Sequence, residues 1–187
     1  MPGFRARGLA VDKRGEFRGQ SGVGLLEVLI ALLVLSVGLL GMAAMMVRAH
    51  QAEIESYQRA QALVLLEDIA ARMTANRPAR NCYAQTNPLG SGSSFSGTGC
   101  NNIADADLVA WDALLKGAAE TQGSSSVGAM VGARGCITGS SESYLVSVAW
   151  QGLSETGAPT NTCGQSLYGN DAQRRVVTRT VRFATLD

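Results

Sequence analysis

The chain has 187 residues, sixteen basic and fifteen acidic, for a net charge of +1, a length that suits one modest domain with appendages. The charge is unevenly spread: residues 1–22 hold five basic and two acidic side chains, and the remainder carries a balance of −2. A folded part without a basic excess argues against a general nucleic-acid binder.

Residues 1–22, MPGFRARGLAVDKRGEFRGQSG, show no apolar periodicity and end in Ser-Gly. Arg5, Arg7, Lys13, Arg14 and Arg18 make them a positive leader. Positive flanks are retained in the cytoplasm, so the chain beyond the apolar segment is expected to be exported. The stretch from Gly22 to Val47 contains one charge, Glu27, and twenty uncharged residues from Val28 onward. As a helix, that run rises about 30 Å, the thickness of a bilayer's hydrocarbon core. It is longer than the apolar part of a secretory signal, and AAMM at 43–46 is a poor cleavage site. The segment is therefore expected to stay in the mature protein. Glu27 is its anomaly, because a carboxylate costs about 2.5–3.5 kcal/mol at mid-helix and less near an end.

From Arg48 to Asn76 there is no Gly or Pro, and strong helix formers dominate. Ala62, Leu66, Ile69 and Met73 recur at helical spacing, flanked by Leu63, Leu65 and Ala70. One helix over about 24–76 is expected, apolar all round in its first half and amphipathic in its second. Arg77-Pro78 ends it. Gly38 and Gly41 sit in the apolar half. They admit two readings: close packing between membrane helices, or a soft spot where the helix bends or melts.

Residues 78–103 read as a loop bracketed by Cys82 and Cys100. Asp105 to Lys116 reads as a short helix with a stripe of Ala104, Leu108, Trp111 and Leu115, capped by Asn102 or Asp105. Trp111 is expected in the core. Residues 117–134 are Gly- and Ser-rich. Strands are expected at 134–138, at 144–150 with Tyr144, Val146, Val148 and Trp150 on one face, and at 173–183. The fold class is α+β, a long helix laid on a small antiparallel sheet. Arg174, Arg175, Arg179 and Arg182 read as charges that guard an edge strand rather than as a DNA-binding row.

The four cysteines, Cys82, Cys100, Cys136 and Cys163, lie after the apolar segment. With no CxxC pair and one histidine, His50, they do not suggest a zinc site. An even number in an exported domain implies two disulfides. Three pairings are open; Cys82–Cys100 with Cys136–Cys163 closes the shortest loops and is preferred. No cofactor is expected.

Gly22-Val23-Gly24-Leu25-Leu26-Glu27 resembles the class III signal of type IV pilins and type II pseudopilins. The resemblance implies cleavage between Gly22 and Val23 by the prepilin peptidase, methylation of the Val23 amine, and retention of the apolar helix. It makes Glu27 the fifth mature residue, one helical turn from the new amine, where an ion pair with its own or a neighbouring subunit's amine would set register in a filament. Val23 replaces the usual Phe, and Ala44 stands near the place where major pilins often carry Pro. Within the superfamily, LLEVLIALLVLSVGLLGMA (25–43), LLEDIAARMTANR (65–77), Asp107 to Trp111 and YLVSVAW (144–150) resemble the PilV group of minor pilins, the type IV pilus modification proteins.

That resemblance divides the chain into a cleaved leader (1–22), a transmembrane and filament-core helix (23–47), its amphipathic continuation (48–76) and a disulfide-stabilised periplasmic domain (77–187). The implied fold is the pilin one, with the apolar half of the helix protruding. It implies a non-enzymatic minor subunit that primes pilus assembly at or near the tip and supports twitching motility and attachment. The implied location is the inner membrane, N-terminus cytoplasmic, and afterwards the extracellular pilus. Implied partners are other minor pilins, the major pilin, a tip adhesin, the prepilin peptidase and the inner-membrane assembly platform. A type II secretion minor pseudopilin is the alternative. A membrane-anchored periplasmic enzyme or receptor is remote, for the sequence holds no GxSxG elbow and no phosphate-binding loop.

Overall fold

A computed structural model describes residues 24–184 apart from Val127, Ala129 and Ser141. The chain divides after Met45 into two units. Helix α1, Leu25–Ala75, supplies the described part of the first unit and the first element of the second. Every residue of α1 up to Ile54 is exposed. Farther on, Gln58, Ala62, Leu65, Leu66, Ile69, Ala70 and Met73 are buried, which is the stripe the spacing predicts. Leu63 falls on the open side and is 44% exposed.

Beyond α1, Pro78 forces a tighter path, and Arg77–Tyr83 form a 3-10 stretch instead of the expected loop. Strand β1 is Leu89–Gly90, also within the segment expected to be loop. Helix α2 is Asn102–Leu115. Its cap is neither Asn102 nor Asp105 but Asn101, whose side chain accepts from the N–H groups of Ile103 and Ala104 at 3.1 and 3.0 Å. Asn101 holds the extended backbone that an N-cap needs. The helix closes with Gly117 N–H donating to Leu114 O and Ala118 N–H to Ala113 O. Gly117 has φ of 87°, the left-handed C-terminal turn that glycine adopts freely.

Strands β2 (Thr121–Gln122) and β3 (Ser125–Ser126) form a small separate hairpin. Strand β4, Val131–Ser140, is longer than the expected 134–138. Strand β5 is Ser143–Gln151 and β6 is Arg174–Arg182. The sheet order is β1-β4-β5-β6, every pair antiparallel. Strand β6 is therefore an edge.

One face of the sheet carries Ile137, Tyr144, Val146, Val148, Trp150, Val177 and Val181, all buried in one cluster with the stripes of α1 and α2. Cross-strand pairs Ile137↔Val146, Val148↔Val177 and Tyr144↔Val181 set the register, and a one-residue slip would turn that set to the outside. Trp111 is fully buried, and its indole N–H donates to Leu65 O at 2.9 Å. Gly135 lies under its ring, where a Cβ would overlap the indole. The opposite face is not left to solvent. The 152–173 connection covers part of it, so that Ala149, Cys163 and Tyr168 make a second small core.

Candidate functional site

Glu27 stands in the first turn of α1. Its backbone N–H donates to Gly24 O at 2.8 Å and its side chain is exposed. A negative charge there is favoured by the unpaired N–H groups of the helix start. Among the described residues no cation pairs with it. Gly22 and Val23, the expected cleavage site and methylated residue, lie outside the described residues. So does the expected leader. Around Glu27 the first unit presents apolar side chains, Leu25 at 90% exposure being the extreme. The helix is unbroken through Gly38 and Gly41, and a Cβ at either would meet nothing within 4 Å. α1 is also long and apolar enough to cross a membrane.

In the second unit, α1 carries a polar network that ties its C-terminal turns to α2. Arg72 donates from Nε to Asp68 Oδ2 at 2.9 Å and from Nη1 to Asp107 Oδ1 at 3.1 Å. The other Asp107 oxygen accepts from the Tyr83 hydroxyl at 2.5 Å. Asn76 Nδ2 donates to the Tyr83 oxygen at 3.2 Å and to Asn101 Oδ1 at 3.3 Å. Arg77 donates to Ala184 O at 2.6 Å. The sequence RMTANR thus supplies a side-chain clamp on α2, on the 3-10 stretch and on Ala184. Burial, reinforced by the bond to Asp107, pushes the pKa of the Tyr83 hydroxyl up to about 12. Hydrogen bonding to Asp68 raises that of the Arg72 guanidinium.

Residues 17–43 match the family model described as the prokaryotic N-terminal methylation motif, and residues 44–114 match the Tt1218-like model, described as type IV pilin Tt1218. Over residues 17–114 the chain is therefore similar to type IV pilins. No curated protein and no solved structure matches it. The long apolar helix and small antiparallel sheet are the α+β arrangement of that family, whose members are structural rather than enzymatic.

The rest of the second unit is stapled. Cys82 is bonded to Cys100 and Cys136 to Cys163, with Cα separations of 5.7 and 5.8 Å. The first bond closes the 83–99 loop onto the start of α2; the second joins β4 to the connection between β5 and β6. Asp105, expected as a cap, instead accepts from Thr98 N–H, Thr98 Oγ1 and Gly99 N–H. Those bonds hold its carboxyl below the ordinary carboxylate value.

The arginine row of β6 is corrected in part by the structure. Arg174 is 1% exposed and is not an edge charge. It donates to the carbonyls of Pro159, Asn161 and Cys163 and to both oxygens of Asp171. Arg175 pairs with Glu55 on α1 at 3.1 Å. Burial raises the Glu55 carboxyl, but the bonds from Ser154 and the Arg175 charge outweigh it and hold it below its ordinary value. Arg179 pairs with Glu67. Three of the four arginines thus pair within the chain, while Arg179 and Arg182 stay exposed on the edge strand. Their role is hidden in the sequence because a strand of alternating charge and small residues reads as solvated unless its distant partners are known.

Proposed function

We propose that this pilin is a minor subunit of a type IV pilus, of the PilV type, that primes assembly at or near the tip and so supports twitching motility and attachment. The observation that carries the reading is Glu27: a carboxylate in the first turn of an exposed apolar helix, with no cation to pair with among the described residues. In lipid it sits at the headgroup level. In a filament of packed helices an unpaired carboxylate would cost several kcal/mol, so the Val23 amine released by the prepilin peptidase, its own or a neighbour's, becomes its partner. The apolar helix then has lipid around it before assembly and neighbouring helices afterwards. The preceding leader stays cytoplasmic, and the two disulfides belong to an oxidising compartment, the periplasm.

The minor-subunit reading rests on the resemblance of residues 65–77, and the clamp made by Arg72, Asn76 and Arg77 supplies a physical reason for those residue types. Its partners on this reading are the major pilin, other minor pilins, a tip adhesin and the inner-membrane assembly platform. The exposed Ile54, Tyr57 and Val64 of α1 suit contact with such neighbours.

Mass spectrometry of sheared pili tests the proposal. The expected result is a chain beginning at methylated Val23, in amounts far below the major subunit. A deletion strain with normal pili and failed exoprotein secretion would overturn it in favour of a type II secretion pseudopilin.

A further inference from the structure

A cleft of about 640 Å³ opens on the second unit between the 85–95 segment, Arg134 of β4 and Leu167. Its volume is in the range of small-ligand sites. Its chemistry is unusual for a leftover surface groove. Among the described residues, Arg134 is the one charged side chain that lines it. The guanidinium stacks on the Tyr168 ring, 4.9 Å from the centroid. Tyr168 is itself buried, and its hydroxyl donates to Gly132 O at 2.9 Å, so the stacking plate is fixed. No acidic side chain among the described residues pairs with Arg134. Its two bonds to carbonyls, Gly132 O and Leu167 O, both run from Nη1 and are stretched to 3.5 Å. Nη2 lies across from Gly92. A planar cation held by stacking, with much of its edge unspent, is preorganised for a carboxylate.

The opposite wall says what surrounds that carboxylate. Five of its backbone donors are committed: Gln85 N–H to Ile137 O, Gly90 N–H to Asp112 Oδ1, Ser91 N–H to Ala133 O, Ser93 N–H to Gly90 O and Phe95 N–H to Ser93 Oγ. A peptide adding as a strand would need such groups free. The side chains are the reverse. Those of Thr86, Asn87, Ser91 and Ser94 have no partner among the described residues, and each both donates and accepts. That pattern matches hydroxyl groups, which also do both. Phe95, half-buried, adds an apolar plate. The wall is rigid, because the Cys82–Cys100 bond, the β1–β4 pairing and the Asp112–Gly90 bond all hold it.

We propose that this cleft binds an acidic polysaccharide through one uronate carboxylate on Arg134 and sugar hydroxyls on the Thr86–Ser94 wall. The site goes beyond the assembly role and needs no filament. It is tested on the full chain in detergent micelles, so failure here leaves the pilus reading untouched.

The probe is a galacturonic acid tetramer, with its fully methyl-esterified form as the uncharged control, measured by calorimetry and by saturation-transfer NMR. Saturable binding of the acid form is expected, weaker by roughly tenfold or more for the ester and for Arg134→Gln, since a charge-assisted pair is lost. Arg134→Lys should retain part of the affinity. Asn87 is exposed, so Asn87→Asp adds a repelling charge without touching the core, and it should weaken binding as well. It decides the matter alone if Arg134→Gln fails to form both disulfides. Absence of saturable binding by the wild-type chain overturns the proposal, as does binding that neither variant weakens. Equal, Arg134-dependent affinity for a tetraglutamate peptide would also overturn it, making the cleft an acidic-peptide site.

Discussion

The hydroxyl of Tyr83 donates to Asp107 at 2.5 Å while Arg72 holds the other Asp107 oxygen at 3.1 Å. One carboxylate on α2 thereby joins the end of α1 to the 3-10 stretch. Tyr83→Phe removes the donor but keeps the ring, leaving Asp107 short of a partner in a mostly buried place. The expected loss is about 1–3 kcal/mol, read as a lowered urea midpoint with an unchanged slope.

The same contact makes an alkaline prediction. The Tyr83 hydroxyl is raised from 10.0 to about 12, so its neutral form is the one the fold favours. Its contribution to stability is whole below pH 10 and disappears as pH rises through about 12. Burial also raises the Tyr168 hydroxyl, so absorbance titration of phenolate should show Tyr83 and Tyr168 ionising late, and Tyr83→Phe should remove one of the two late steps.

In acid the sign reverses. Asp105 and Asp171 are both lowered from 3.8, Asp105 mainly by Thr98 N–H and Asp171 mainly by Ser166 N–H. The stability they contribute is present above that value and is lost as pH falls through their lower folded values. Carboxyl NMR titration should find both depressed. Backbone protection at Thr98, Gly99 and Ser166 should fade at the same pH.

Arg174 is buried with three carbonyls and one carboxylate around it. Arg174→Gln cannot span those partners, and it leaves Asp171 and the carbonyls unmatched. A cost of about 3–5 kcal/mol is expected, with hydrogen exchange in 157–170 accelerating first. A cost near zero would mean that the loop is held by Cys136–Cys163 alone. Opening that disulfide, whose cysteines are 27 positions apart, should cost about 3–4 kcal/mol in the chain-entropy model.

Glu27→Ala should leave membrane insertion intact or improved and abolish recovery of the subunit in sheared pili. Glu27→Gln should behave like Ala, because the amide cannot neutralise an amine. Wild-type recovery of either variant would refute the register role assigned to Glu27.

Much of the architecture is legible in the residues. Ala62, Leu66, Ile69 and Met73 signal a buried helical stripe, and Tyr144, Val146, Val148 and Trp150 a half-buried strand. Both patterns are local, since a helix or strand that buries one face repeats its apolar residues at its own period. Loop length favours the cysteine pairing that the structure holds. The 3-10 stretch, β1 and the true cap at Asn101 leave no such mark. Short elements carry too few residues for a period, and three polar residues near one helix start are equivalent until the backbone chooses among them.

Hydropathy, period and motif are properties of neighbours along the chain. The apolar helix with its lone acid, the α+β class and the family resemblance can therefore be read without coordinates. Long-range packing settles the rest: Arg174 is a core residue, Arg72, Tyr83 and Asp107 form one clamp, and Arg134 stands over a wall of free hydroxyls. A polar side chain's role depends on which distant groups reach it, and burial makes those few partners decisive. Nothing in the local sequence encodes them.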